Sequence, residues 1–315
     1  MIYYQYNKTL NRLPIDPTYG LLSLTTSDNA IATFLSGDIP QDDDPYYTNA
    51  RMLTYQLLHA SETRCDPPLP FLVLCTTSVS TEKKDRLKRD GATIIEVSDV
   101  PLSWWIKTGV TRWKDQFTKL RLFKLVQFSR ILFIDADTLL TGPISSIFSE
   151  PGFAEPMKMN FSLTTQIKSD EAPLPAEFFF AARPDNAYAG ERSHTYPPVY
   201  SGDSTAFSAG FWIAAPSKEL YDYFMSVMRH WRRFDSHTME QSLLNYAFRH
   251  EGPMPWKQIS QKWSATWPNE ADIRAGVVGL HEKAWKGDLK GTEELRKLYS
   301  LWKNRMEKFY DDADH

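Results

Sequence analysis

Short apolar runs alternate with polar, helix-forming stretches through the first half of the chain. Residues 21–26 form an apolar run ending in Thr-Thr-Ser-Asp, which predicts a strand entering a helix-capping cluster. Phe71–Thr76 (FLVLCT), Thr93–Val97 and residues 130–135 (RILFID) read as further strands. Residues 81–90 read as a charged helix closed by Gly91. Residues 117–129 read as a helix largely buried on its core side. This alternation predicts a mostly parallel sheet covered on both faces.

The period fades after Gly142. Residues 143–148 suit a short helix opened by Pro143, and 151–202 suit loops and short strands. Residues 207–215 (FSAGFWIAA) predict a strand. Ser217 then caps a helix with Leu220, Phe224, Val227 and Trp231 on one face. Residues 238–249 predict another helix, and 276–281 (GVVGLH) a buried strand ending in a histidine. Residues 292–310 predict an amphipathic helix with Leu295, Leu298, Trp302, Met306 and Phe309 on one side. No linker-like stretch divides the chain, so one α/β domain over 1–315 is expected, Rossmann-like in its first half.

Composition narrows the classes. The chain has 315 residues, with 42% hydrophobic and 24% charged. That length buries roughly three quarters of the unfolded surface, so the core needs no staples. Net charge is −3, which argues against a nucleic-acid or anionic-membrane binder. Cys65 and Cys75, the two cysteines, exclude a disulfide scaffold or multi-cysteine zinc module and read as buried thiols. No run approaches the roughly 18 apolar residues of a membrane span. Residues 1–13 are polar and Tyr-rich, with no apolar leader core, so the chain as it stands is expected to be cytoplasmic. A chain trimmed of an N-terminal anchor would look the same, and that alternative places it in the Golgi lumen.

Candidate chemistry concentrates in residues 131–142 (ILFIDADTLLTG). Asp135 and Asp137 end a buried strand, the edge where open α/β sheets bind ligands. Alternate residues of an extended segment point the same way, so both carboxylates can share a divalent cation, Mn²⁺ or Mg²⁺. Two chemistries share this string. One is the Asp-X-Asp of metal-dependent, nucleotide-sugar glycosyltransferases. The other is the Asp-X-Asp-X-Thr of dehalogenase-type phosphatases, whose motif opens the first core strand. Here about 130 residues precede it, which favours the first.

The segment from Phe117 to Thr138, with the Asp-X-Asp at its end, resembles glycosyltransferase family 8, the glycogenin and galactinol synthase group. Residues 22–28 (LSLTTSD) are similar to that family's first strand and nucleotide-contacting turn, and 208–217 to its Asn-Ser-Gly strand. Residues 240–245 (EQSLLN) resemble its Asp-Gln-Gly-Leu-Leu-Asn helix start, and 277–286 its closing histidine-lysine motif. The blocks stand in family order over residues 20–287.

The resemblance implies a GT-A fold, with a nucleotide-binding half over 1–150 and an acceptor-binding half with the C-terminal helix over 151–315. It implies transfer, with retention, of a hexose or N-acetylhexosamine from a UDP-sugar to a glycan or small polyol. By position, Asp135, Asp137 and His281 would hold Mn²⁺, and Leu24, Thr25 and Thr26 would line the uridine pocket. Lys119 and Ala136 would face the nucleotide and Lys286 the diphosphate, with Lys283 competing for that role. Gln241, with Glu240 or Asp235 as the neighbouring carboxylate, would lie near the anomeric carbon. A homodimer is compatible with this reading. Departures from the family are Glu240 for aspartate, Ser242 for glycine, Ser208-Ala209 for Asn-Ser, and an acidic insertion at 38–44. The aromatic that stacks uracil falls at Ala30 or Ile31.

Blander readings compete. Asp235 and Glu240 also suit a helix start. His194 and Asp203 suit a surface loop, Arg112 a solvated charge, Trp104-Trp105 core packing, and residues 42–44 a solvated charge run. A non-catalytic UDP-sugar binder is the remaining alternative.

Overall fold

The structure is a computed structural model that describes residues 27–37, 39–185, 194–197, 206–289 and 291–314. In chain order the strands are β1 (Asn29–Leu35), β2 (Phe71–Thr76), β3 (Thr93–Val97), β4 (Arg130–Ile134), β5 (Thr138–Leu140) and β6 (Met157–Lys158), followed by β7 (Glu177–Phe178), β8 (Phe180–Pro184), β9 (Phe207–Ala214), β10 (Lys257–Gln258), β11 (Ser264–Thr266) and β12 (Gly279–His281). The helices are α1 (Pro45–Leu58), α2 (Thr81–Arg89), α3 (Lys218–Arg229), α4 (Met239–Ala247), α5 (Glu270–Arg274) and α6 (Glu293–Asp314).

Seven strands form the central sheet in the order β10-β8-β9-β4-β1-β2-β3. Pairing is parallel from β4 through β1 and β2 to β3, and between β10 and β8. Strand β9 runs antiparallel to both β4 and β8. Both faces are covered, so strand residues are buried without alternation: all six of β2 and all eight of β9. Ala30, Ala32, Leu72, Ile131, Phe133 and Trp212 pack on one face. Ile31, Val73, Cys75, Leu132, Phe211 and Ile213 pack on the other. Strands β11, β12 and β5 form a small second sheet, and β6 pairs with β7.

The strand expected over 21–26 lies outside the described residues. The strand that sits between β2 and β4 is β1, and it buries Ala30 and Ile31, so neither can stack on a base. The acidic stretch before α1 is not wholly a solvated run. Asp44 is buried, caps α1 by accepting from the Tyr46 and Tyr47 N–H groups, and pairs with Lys83. The helix expected over 117–129 is a 3-10 segment over Thr111–Lys124, followed by turns at Leu125 and Phe128. The last strand shortens to Gly279–His281 because the Val277 and Val278 N–H groups bond to Asp272 and Lys262. On α6 the buried stripe runs through Leu295, Tyr299, Trp302, Met306 and Tyr310, leaving Phe309 partly exposed. Cys65 and Cys75 are free, and burial pushes both thiols up to about 12. Among the described residues no helix is long and apolar enough to cross a membrane.

Candidate active site

Strand β4 ends at Ile134, and the next residues turn rather than extend. The Asp135 N–H donates to the Gly210 carbonyl at 2.9 Å, and the Thr138 N–H closes the turn on the Asp135 carbonyl at 3.1 Å. The two aspartates therefore converge through a turn, not through strand alternation. Strand β5 leaves that turn and pairs antiparallel with β12, placing His281 opposite Thr138. The Glu282 N–H donates to the Asp137 carbonyl at 3.0 Å and locks the register. The Trp267 N–H, from a left-handed residue at φ 53°, donates to the His281 carbonyl at 3.1 Å.

His281 Nε2 lies 3.0 Å from Asp137 Oδ1 and 3.8 Å from Asp135 Oδ2. One ligand atom from each of the three residues falls within 4.8 Å of the others. Gly210 of β9 forms the wall beside them. A Cβ there would stand 2.6 Å from His281 Cε1 and 2.9 Å from both Asp135 Oδ2 and His281 Nδ1. Among the described residues, buried His281 Nδ1 has no hydrogen-bond partner. Two carboxylates and an imidazole, packed against a glycine that leaves no room for a Cβ, suit Mn²⁺ or Mg²⁺.

Lysines balance the acids. Lys119, buried in the 3-10 segment, donates to Asp135 Oδ1 at 2.8 Å and Glu240 Oε1 at 2.9 Å. Burial opposes its charge, but Asp135 and Glu240 outweigh burial and hold its pKa above the ordinary lysine value. Burial raises the Glu240 carboxyl, with Lys119 opposing. Burial also works against the Asp137 anion. The His281 and Lys283 charges overcome it and hold Asp137 far below the usual carboxylate range. For His281, burial lowers the pKa, but Asp137 and then Asp135 raise it above its ordinary value. Asp137 thus faces His281 Nε2 at 3.0 Å on one oxygen and Lys283 Nζ at 3.2 Å on the other.

The other candidates are distributed as follows. Met239, at φ 60° and ψ −139°, turns the chain into α4 just before Glu240 and Gln241, a backbone region that strains a side-chain-bearing residue. Gln241 accepts from the Ala209 N–H at 3.0 Å and donates to Asp185 Oδ2 at 2.9 Å, which fixes α4 against β9 and the end of β8. Ala136 is buried in the turn between the aspartates. Asp235 is exposed, and its carboxylate accepts from the His237 N–H. Among the described residues no contact joins it to Asp135, Asp137 or His281. Lys286 is exposed on the segment after β12, whereas Lys283 reaches Asp137. His194 pairs with Asp272 at 2.7 Å. Trp105 is core, while Trp104 is exposed. Leu24, Thr25, Thr26 and Asp203, and the Arg112 side chain, lie outside the described residues.

Two residues near the cluster escaped the sequence reading. Tyr46, in the first turn of α1, packs edge-on against Trp285 with ring centroids 5.3 Å apart. It also stands near enough to Lys283 to influence its charge. The signal for Tyr46 was the Asp44-Pro45 start of a helix after a strand.

Comparisons agree with this architecture. No protein-family model matches the chain. Two uncharacterized proteins of Schizosaccharomyces pombe are 28% and 26% identical, over 94% and 83% of this chain and 79% and 74% of theirs. Among solved structures, an active-site mutant of LgtC is similar at TM-score 0.53 and 14% identity, covering 87% of this chain and 94% of that one. The WbbM bifunctional glycosyltransferase is similar at TM-score 0.50 and 14% identity, covering 83% of this chain. This chain spans 46% of the WbbM chain. The glycosyltransferase GlyE of Streptococcus pneumoniae TIGR4 is similar at TM-score 0.50 and 12% identity, covering 90% of this chain and 64% of that one. The chain has the GT-A glycosyltransferase fold, with an Asp-Asp-His cluster at its Asp-X-Asp turn.

Proposed function

We propose that this chain is a Mn²⁺-dependent retaining glycosyltransferase of family 8 type. It transfers a hexose or N-acetylhexosamine from a UDP-sugar to a glycan or small polyol. The observation that carries the reading is the convergence of Asp135, Asp137 and His281 within 4.8 Å of one another, against Gly210. Residues 1–150 form the nucleotide-binding half and 151–315 the acceptor-binding half.

Asp135, Asp137 and His281 hold the cation, with Mg²⁺ as the substitute. The bound cation supplies Lewis-acid stabilisation of the departing diphosphate. Lys283, about one-third exposed beside Asp137, is the nearest lysine able to meet a phosphate, with Lys286 beyond it. Tyr46 and Trp285 offer the aromatic surface for uracil that β1 does not, and the family resemblance assigns Leu24, Thr25 and Thr26 to the same pocket. Lys119 ties Asp135 to Glu240 and so couples the metal end of the site to the sugar end. Glu240 and Gln241 face an oxocarbenium-like centre, which a carboxylate or amide oxygen stabilises. Asp235 is the more distant acidic candidate.

The test is incubation with Mn²⁺ and a panel of UDP-sugars, with free UDP and p-nitrophenyl phosphate cleavage measured in parallel. UDP released from at least one donor, and abolished by chelation, is the expected result. Binding of UDP without release from any donor, or cleavage of the phosphate ester, refutes the assignment.

A further inference from the structure

Net charge is −3, yet one face of the molecule reverses that sign. Residues 100–111 and 227–236 hold Lys107, Arg229, Arg232 and Arg233 against one acid, Asp235. The two segments run side by side. Trp105 Nε1 donates to the Met228 carbonyl at 3.0 Å, and Trp105 packs on Phe234 with centroids 5.2 Å apart. The Lys107 N–H donates to Ser236 Oγ at 3.2 Å, and Ser236 Oγ donates back to the Lys107 carbonyl at 3.0 Å.

Trp105 and Phe234 fill the core beneath, and two tryptophans are left outside it. Trp104 is 83% exposed and Trp231 63% exposed, while Val110 is also exposed. The Arg232 guanidinium lies over the Trp231 ring, 4.9 Å from its centroid. Asp170 and Glu171 neutralise Arg233, and Asp170 also pairs with His230. Among the described residues no carboxylate lies within ion-pair distance of Lys107, Arg229 or Arg232.

We infer that this face docks on an anionic lipid surface. Indole rings next to unneutralised guanidinium and ammonium groups match the layer where acyl chains meet negatively charged headgroups. A neutral glycan fits less well, because a cation already occupies one face of Trp231. The face adjoins the candidate site, since the first segment leads into the 3-10 segment bearing Lys119 and the second into α4 bearing Glu240. A membrane-held acceptor would therefore be presented near the transfer centre. That extension rests on the proposed function, whereas the docking itself does not.

The test is co-sedimentation of the full chain with phosphatidylcholine vesicles, with and without 30% phosphatidylserine, at low and high salt. Binding only to the anionic vesicles, weakened by salt, is expected. Arg229→Gln and Arg232→Gln should each weaken it about five-fold. Trp104→Ser with Trp231→Ser should weaken it by more than about ten-fold while UDP release in solution is unchanged. Equal binding to neutral vesicles, no binding to either, quenching of these tryptophans by a neutral oligosaccharide, or a dimer abolished by the same substitutions would each overturn the inference. Vesicle binding without UDP release from any donor would support the docking and refute only the transferase reading.

Discussion

Gly210→Ala isolates the candidate cation site from the rest of the fold. Its Cβ would stand 2.6 Å from His281 Cε1, and ordinary contact begins at 3.4 Å, so the ring must retreat by about 0.8 Å (3.4 − 2.6). Asp135 Oδ2 and His281 Nδ1, both 2.9 Å from the new methyl, must also yield. Metal–ligand distances tolerate only about 0.2 Å, so the site cannot absorb that shift without losing affinity. We expect Mn²⁺ binding to weaken by about 100-fold, while overpacking costs the fold about 1–3 kcal/mol. At a Mn²⁺ concentration near 100 times the wild-type Kd, ligand stabilisation is about 2.7 kcal/mol. After a 100-fold loss it falls to about 0.4 kcal/mol. The assay is thermal unfolding of both proteins across a Mn²⁺ titration, with Ala209→Gly as a neighbouring control. A Gly210→Ala protein that keeps the wild-type Mn²⁺ shift would refute the idea that this glycine makes room for a cation.

Further outcomes follow from the ion pairs. His281 is held above its unfolded pKa, so its pair adds stability below about pH 6.5 that is lost as pH rises through the folded value. Asp137 is held below its unfolded pKa, so its contribution is present above about pH 3.9 and is lost in acid. A cation requires neutral imidazole, so the Mn²⁺-induced rise in Tm should grow from pH 6 to pH 8; a rise that shrinks contradicts the pairing. Lys119→Met leaves buried Glu240 without its lysine, removes the lysine from partly exposed Asp135, and should cost about 3–5 kcal/mol in denaturant unfolding, part of it regained on adding Glu240→Gln. Asp44→Ala removes a helix cap and the partner of buried Lys83, whereas Asp44→Asn keeps the cap. The alanine should be the more destabilising by about 1 kcal/mol, and equal losses would show that the cap contributes nothing.

Features written in one local stretch could be read from the sequence. An apolar strand ending in Asp-X-Asp, a late strand ending in histidine, and capped amphipathic helices need only neighbouring residues to be recognised. The choice of β1 was harder, because two apolar runs stand a few residues apart and only pairing with β2 and β4 selects Asn29–Leu35. Asp44 resembles a solvated charge until Lys83, 39 residues away, is brought beside it. Glu240 meets Lys119 across 121 residues, and the need for glycine at 210 arises only where β9 passes His281. Lys283 and Lys286 follow the same strand, and the turn after it decides which one reaches Asp137.

The most direct measurement is Mn²⁺ affinity in the presence of UDP, followed by calorimetry for wild type, Asp137→Asn and His281→Ala. The structure predicts saturable binding to the wild type, none resolvable in Asp137→Asn, and a raised Mn²⁺ requirement in His281→Ala. Wild-type affinity in Asp137→Asn would contradict a cation held by this turn.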